Sequence, residues 1–191
     1  MNSTSNTSLT ESCLLVIDMQ NASFSPEYPC YDAAGVLERI NALTDLSRKK
    51  GLSIIYVRHN GSAQNEYIPL THGWELLPDL VVRETDIMIE KTANDVFYNT
   101  DLESGLKAMN INKLIITGSA TEFCVDSSIQ SALTKNFDIV VAGDAHTTAD
   151  KPHLSAEKII RHYNWVWSNL TPTKGKIEIK NSATILKELD K

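Results

Sequence analysis

Short apolar runs rich in β-branched residues recur along the chain, and segments with helical spacing of their apolar positions separate them. The first run, 13–17, contains no polar residue, which is typical of a strand covered on both faces. Such runs alternating with helices predict βαβ units around a parallel sheet. The predicted strands span 13–17, 53–57, 86–90, 113–117, 137–142 and 176–179.

The segments between these strands carry helical signals. Between 32 and 50, apolar residues recur at spacings of three and four, and Gly51 ends the helix. Thr100 is placed to cap a helix running to Met109, with Glu103 completing a capping box. Further helices are predicted after 118–124, over 154–164 and over 182–189. The pattern predicts a three-layer, doubly wound α/β fold, in which helices cover both faces of a mainly parallel six-stranded sheet.

The domain organisation that follows is simple. Residues 1–12 are rich in Ser, Thr and Asn and are predicted to be a flexible arm, whereas 13–191 form one domain. The segment 60–84 contains Gly and Pro without clear periodicity, which predicts a long loop. Loops of this length often cover a site, so this segment is expected to shape substrate specificity.

Composition narrows the possible functions. The chain has 24 acidic and 18 basic side chains and a formal net charge of −6, which indicates no basic face for nucleic acid. No apolar stretch approaches the roughly 20 residues of a membrane span. The three cysteines cannot all pair within the chain, and none has zinc-ligand spacing. We therefore expect a cytoplasmic protein that binds neither nucleic acid nor membrane.

Three side chains of types that can take part in catalysis lie at or just after predicted strand ends: Asp18, Lys91 and Cys124. These positions line the ligand crevice of a parallel sheet, provided that the first, third and fourth strands lie together. A cysteine at a helix start gains thiolate character from the helix dipole, and a nearby lysine lowers its pKa further. Asp18 is then placed to accept the thiol proton and return it to a departing amine, which favours acyl transfer.

Each residue also has an ordinary structural interpretation. A lone cysteine is usually a small apolar residue, and Cys13 and Cys30 keep that interpretation. An aspartate that ends a strand is often a turn residue. A lone lysine is most often a solvated charge. Taken singly, the three candidates therefore do not establish a catalytic site.

Three blocks of sequence carry a resemblance to a known family. They are Leu14-Leu-Val-Ile-Asp-Met-Gln-Asn21 with Phe24, Lys91 followed by Phe97, Thr100 and Leu102, and Gly118-Ser-Ala-Thr-Glu-Phe-Cys-Val125. In this order they resemble the isochorismatase-like cysteine hydrolases, which include nicotinamidases and carbamoylsarcosine amidase. The resemblance spans 14–144 and implies a triad of Asp18, Lys91 and Cys124. It also implies a cis peptide between Ser119 and Ala120, which aims the Ala120 and Cys124 N–H groups at the substrate oxyanion.

The resemblance also bears on metal binding. Nicotinamidases usually hold a divalent metal with an Asp-x-His pair and a further His after the second strand. Here Val57 stands in place of the carboxylate, so His59 and the distant His72 make a poor ligand set. We expect no catalytic metal and no organic cofactor. Three further histidines have spacings of 7 and 9, unlike a helical ligand pair, so surface or interface roles are favoured: His146, His153 and His162.

Cys124 favours C–N hydrolysis, because relatives that cleave the vinyl ether of isochorismate lack a nucleophilic cysteine at this point. The resemblance therefore implies an amidohydrolase that cleaves a small amide or carbamoyl compound through a thioester. Two alternatives stay open: an ether-cleaving relative and a non-catalytic member that binds a small molecule.

Aromatic residues supply candidates for the substrate site and for an interface. The candidate walls of the substrate site are Phe24, His59, Trp74, Phe97 and Tyr98, although each aromatic is equally suited to a core. Trp165 and Trp167 alternate as an edge or interface segment does. Since related hydrolases assemble as dimers or larger oligomers, we expect a homo-oligomer.

Overall fold

The computed structural model describes residues 11–27, 29–62 and 66–191, which form six strands and five α-helices. The strands are β1 Ser12–Ile17, β2 Ser53–His59, β3 Ile87–Lys91, β4 Lys113–Ser119, β5 Asp138–Thr147 and β6 Ile177–Lys180. The helices are α1 Ala33–Lys49, α2 Leu102–Ala108, α3 Asp126–Thr134, α4 Ala156–Ser168 and α5 Ser182–Leu189. A 3₁₀ turn covers Asn21–Phe24, and a π-helical turn, Thr121–Val125, precedes α3.

The strands form one parallel sheet in the order β3-β2-β1-β4-β5-β6, which confirms the predicted fold class. Every residue of β1 is buried, as an uninterrupted apolar run requires. The expectation that the first, third and fourth strands lie together is only partly correct. β1 and β4 are paired, but β2 lies between β1 and β3. A side chain at the end of β3 must therefore reach past β2 to meet the end of β1.

Helices cover both faces of the sheet and bury its apolar side chains. On one face, Leu106 of α2, Ile129 of α3 and Trp167 of α4 pack into a single core cluster with the sheet. On the other face, Ile40 of α1 and Ile185 of α5 belong to a second cluster. None of the helices in the described ranges is both long enough and apolar enough to cross a membrane.

The boundaries of two elements differ from those predicted. The fifth strand does not end at 142 as predicted: a register irregularity against β4 lets β5 continue to Thr147, so that His146 pairs with Gly118. The capping box before α2 does not form. The Thr100 hydroxyl donates to the Val96 carbonyl oxygen at 2.6 Å, and Glu103 pairs with lysine side chains instead.

The start of the first strand also differs from the sequence prediction. Most of the predicted arm, residues 1–10, lies outside the described residues, and Ser12 already belongs to β1.

Trp165 and Trp167 lie on α4 rather than on an edge segment, because the helix continues to Ser168. Trp167 is fully buried, whereas Trp165 is 64% exposed. Of the pair, only Trp165 is available to an interface.

Candidate active site

The carboxyl ends of β1, β3 and β4 bring the predicted triad together at one edge of the sheet. Asp18 follows β1 with a φ of +48°, a left-handed conformation that aspartate tolerates better than most residues. Gly118 near the end of β4 has a φ of +117°, and a Cβ there would lie 2.1 Å from the Ile17 carbonyl oxygen. Only glycine permits so close a packing of the two strand ends. The nucleophile turn, Thr121–Val125, then places Cys124 beside Asp18.

Lys91 connects the other two members of the triad. Its ammonium nitrogen lies 2.7 Å from Asp18 Oδ2 and donates to Cys124 Sγ at 3.2 Å. The ammonium group also donates to the carbonyl oxygen of Ala93 at 3.0 Å. Asp18 and Lys91 are both buried, at 3% and 1% exposure. The lysine side chain is thus long enough to cross the end of β2, and the pair forms a buried ion pair in contact with the sulfur.

The electrostatics of the sulfur differ from the sequence expectation. Burial, and secondly the Asp18 carboxylate, raise the pKa of the Cys124 thiol to about 12, while Lys91 opposes the shift. The predicted depression of the thiol pKa is therefore wrong for the resting site. The physical reason is that burial of the sulfur and the neighbouring Asp18 carboxylate together outweigh the opposing effect of Lys91 on the thiol pKa. Burial also raises the pKa of Asp18, against the effect of Lys91, which makes this carboxyl a stronger proton acceptor.

A cavity of about 210 Å³ opens over Asp18 and Cys124. It is lined by Asp18, Ser23, His59, Tyr67, Asn94, Ser119, Ala120, Phe123 and Cys124. The peptide bond between Ser119 and Ala120 is cis. Ala120 and Cys124, whose N–H groups are the candidate oxyanion donors, both belong to the wall. The candidate nucleophile Cys124, the candidate base Asp18 and the candidate donor residue Ala120 therefore line one small cavity.

Of the predicted substrate-binding residues, the structure brings only His59 to the described wall of this cavity. Its Nδ1 lies 3.3 Å from the Lys91 ammonium, and burial, reinforced by Lys91, lowers the pKa of the imidazole. Phe97 instead stacks on Phe137 in the core, with 5.8 Å between ring centroids. Phe24 packs against the core cluster under α1. These two aromatic rings serve packing rather than the cavity.

Trp74 and Tyr98 are also placed away from the described wall. The Trp74 ring lies under the Arg58 guanidinium at 3.7 Å, and its indole N–H donates to Asn60 Oδ1 at 2.6 Å. Tyr98 is 56% exposed. The sequence could not distinguish these positions from wall residues, because aromatic side chains suit cores and pockets equally.

The cavity has wall residues that the sequence reasoning missed. The Tyr67 hydroxyl lies 2.8 Å from Ser23 Oγ, which donates to the Asp18 carbonyl oxygen at 3.3 Å. Asn94 Oδ1 accepts from the Cys124 thiol at 3.7 Å. Asn94 and Phe123 had a usable signal, since they are close in sequence to triad members. Tyr67 had none, because it lies in a loop without periodicity.

The histidines do not form a ligand set. His59 faces an ammonium group, which disfavours a bound cation there, and His72 is remote, with an 85% exposed side chain beside Glu75. His146 is buried in a hydrogen-bonded network, whereas His153 and His162 line a separate surface groove. Among the described ranges, no group of three or more His, Cys, Asp or Glu residues is arranged to hold a metal.

Sequence comparison finds relatives with known names. The sequence is 32% identical over 139 residues to a streptothricin hydrolase of Streptomyces noursei, a match covering 73% of this chain and 50% of that protein. It is 28% identical over 179 residues to the ureidoacrylate amidohydrolase RutB of Cronobacter sakazakii, covering 74% and 77%. The match thus spans about half the length of the streptothricin hydrolases.

Structure comparison and a family model agree with these relatives. An isochorismatase-family protein of Chromobacterium violaceum has a TM-score of 0.85 at 26% identity, covering 95% of this chain and 94% of that one. A cysteine hydrolase of Pseudomonas syringae has a TM-score of 0.83 at 19% identity, covering 95% and 93%, a likeness of fold alone. The model of the Isochorismatase domain matches residues 12–168. The chain therefore belongs to the isochorismatase family.

Proposed function

We propose that the protein is a cysteine-dependent amidohydrolase that cleaves a C–N bond of a small amide or carbamoyl compound through a thioester. One observation carries this proposal: a single buried ammonium group, that of Lys91, contacts both the Asp18 carboxylate and the Cys124 sulfur at the cavity wall. A base, a cation and a nucleophile in mutual contact are the parts that acyl transfer to sulfur requires.

The first half-reaction begins from a neutral thiol. Asp18 takes the proton from Cys124 as the sulfur bonds to the substrate carbonyl carbon, so no standing thiolate is needed. The candidate donors at Ala120 and Cys124 stabilise the negative oxygen of the tetrahedral intermediate. Asp18 then passes its proton to the substrate nitrogen, the C–N bond breaks, and ammonia or an amine leaves. The acyl group remains on sulfur as a thioester.

The second half-reaction releases the acid. Asp18, ionised again, takes a proton from water as the water oxygen bonds to the thioester carbon. The C–S bond breaks, and the proton returns from Asp18 to the sulfur of Cys124. Lys91 stays protonated throughout and stabilises whichever neighbour carries negative charge. Its burial supports this role, because charge interactions are stronger away from water.

The cavity and the relatives support the proposed substrate class. A volume of about 210 Å³ lies below the usual range for drug-sized ligands, which favours a small acyl group. Both named relatives have names that denote hydrolases, and one is an amidohydrolase. A small amide or ureido compound is the substrate class consistent with both observations.

The two alternatives differ from this proposal in their need for the thiol. Neither ether cleavage nor simple binding of a small molecule uses sulfur as a nucleophile. Activity or binding retained after complete alkylation of Cys124 would favour them. The contact between the thiol and the ion pair favours the amidohydrolase.

The experiment is a screen for ammonia release. Acetamide, propionamide, nicotinamide and N-carbamoylglycine are incubated with the wild type, Cys124→Ala and the matched cysteine control Cys30→Ala. We expect release by the wild type and the control but none by Cys124→Ala. Wild-type and Cys124→Ala proteins that release ammonia equally would refute the role of the thiol.

A further inference from the structure

A directed chain of hydrogen bonds ties the nucleophile turn to β5 and α4. His146 of β5 is buried, at 1% exposure, as is Thr121, the first residue of the turn. The two side chains meet at 2.9 Å, between Thr121 Oγ1 and His146 Nδ1. On the other side of the ring, His146 Nε2 lies 3.0 Å from Asn164 Oδ1. The imidazole thus bridges the turn and α4.

The amide group of Asn164 determines which atom donates in each of these hydrogen bonds. Asn164 Nδ2 donates to the Gly143 carbonyl oxygen at 2.8 Å, so the Asn164 oxygen faces His146. A carbonyl oxygen only accepts, and His146 Nε2 must therefore carry the proton. Burial lowers the pKa of His146 to about 4, so the ring is neutral at physiological pH. Nδ1 is then an acceptor, and the Thr121 hydroxyl donates to it.

The fold accommodates this chain at several points. The register irregularity of β5 carries His146 alongside Gly118, close to the turn. A Cβ at Gly143 would lie 3.2 Å from Asn164 Oδ1, and glycine leaves the room that this amide occupies. The Trp167 ring packs edge-on against His146 at 5.1 Å, and its N–H donates to Asp126, the first residue of α3, at 2.8 Å. Both ends of the turn are therefore anchored to α4 and β5.

We propose that Thr121 and His146 are positioning residues: the imidazole holds the Thr121 hydroxyl and thereby fixes the turn that carries Cys124 and the Ala120 N–H. This inference rests on the proposed role of Cys124 as nucleophile. Neither side chain lies among the described residues of the cavity wall, so neither contacts substrate there. These hydrogen bonds explain why a buried histidine, outside any ligand set, lies beside the nucleophile turn.

The test compares two substitutions at one position. Thr121→Val keeps the shape of the side chain but removes the donor, whereas Thr121→Ser keeps the donor. On the most active amide of the screen above, we expect kcat of Thr121→Val to fall about 10- to 100-fold with KM little changed, because misplacement of a reacting group costs rate. Thr121→Ser should restore kcat to nearly the wild-type value.

A second measurement does not depend on turnover. The rate at which iodoacetamide alkylates Cys124, followed by mass spectrometry with Cys30 as the internal reference, should change in Thr121→Val but not in Thr121→Ser, because a displaced turn alters the burial of the sulfur and its contact with Lys91. If Thr121→Val does not fold, Asn164→Ala should give a smaller change in the same direction. Unchanged kcat and alkylation in a folded Thr121→Val, even with a lower melting temperature, would overturn the positioning role. Absence of amide turnover by the wild type would refute the proposed function alone, and the alkylation comparison would still decide this inference.

Discussion

Two close ion pairs lie at opposite ends of the sheet and differ in what their charges contact. At the carboxyl end, Lys91 and Asp18 approach to 2.7 Å, with side chains 0% and 5% exposed. At the amino end, Arg48 and Asp86 approach to 2.6 Å, with side chains 13% and 2% exposed. The distances are thus nearly the same, but Asp18 and Lys91 are buried whereas Arg48 and Asp86 are partly buried.

The partners of each pair reveal the difference. Arg48 donates twice to Asp86, at 2.9 and 2.6 Å, and also to the Val81 carbonyl oxygen and the Tyr56 hydroxyl. These contacts hold the segment before β3 to α1 and β2. Lys91, in contrast, directs one hydrogen to a thiol. The cavity beside Arg48 is also the larger, at about 520 Å³ against 210 Å³. A reactive atom within reach of the charges identifies the site better than cavity size does.

Removal of the sulfur should have the largest effect. Cys124→Ala deletes the atom that forms the covalent bond, so we expect kcat to fall about 10³-fold or more. Initial rates of ammonia release measure the effect, and Cys30→Ala controls for loss of a thiol elsewhere. A Cys124→Ala rate within tenfold of the control would contradict the proposed chemistry.

Removing the cation of each ion pair tests whether the two pairs differ in function. Lys91→Met leaves the buried Asp18 carboxylate without its partner and should lower the free energy of unfolding by about 3–5 kcal/mol, and Arg48→Met, which breaks a partly buried pair, should lower it by less. Only Lys91→Met should also lower kcat, by about 10²-fold or more, because only this cation contacts the sulfur. Urea unfolding and initial rates on the folded fraction separate the two effects. Equal losses of kcat in both folded variants would show that the pairs do not differ in function.

The pH dependence should report both shifted groups. Asp18 acts as a base only when ionised, and its pKa is raised by burial. We therefore expect kcat/KM to fall as the pH drops through that pKa, at a higher pH than for an ordinary carboxyl. The Cys124 thiol pKa is about 12, so alkylation by iodoacetamide should keep rising about tenfold per pH unit through pH 9. A plateau of the alkylation rate near pH 7 would show a standing thiolate instead.

Exposed aromatic residues give the smallest expected difference. Phe123 lines the cavity and is 49% exposed, whereas Tyr98 is 56% exposed and lies away from the described wall. We expect Phe123→Ala to raise KM severalfold through lost apolar contact with substrate, and Tyr98→Ala to leave KM unchanged. Steady-state kinetics on one amide distinguish them. A larger effect at Tyr98 would place the substrate outside the 210 Å³ cavity.

Local pattern predicted much of the fold and the triad. The apolar runs predict the strands, and strand ends in a parallel sheet converge, so the sequence predicts that Asp18, Lys91 and Cys124 lie at one edge of the sheet. The continuation of β5 to His146 was not predicted, because a register irregularity depends on the neighbouring strand rather than on the run itself.

Properties that depend on tertiary contacts could not be predicted from the sequence. The thiol pKa is set by burial and by a carboxylate far away in the chain, and no local pattern records either. Tyr67 reaches the cavity from a loop whose path no periodicity predicts. The prediction of aromatic wall residues was wrong for a related reason. An aromatic side chain such as Phe97 suits a pocket or a core, and in the folded protein Phe97 lies in the core.

The most direct test traps the covalent intermediate. Wild-type enzyme turning over its best amide is quenched in acid and digested, and the peptide 114–135, which contains Cys124, is weighed by mass spectrometry. We predict a mass increase equal to the acyl group, located on Cys124 and absent from the Cys124→Ala protein. Unmodified Cys124 at every quench time, during full hydrolysis and with an acyl-thioester standard shown to survive the work-up, would contradict a thioester mechanism.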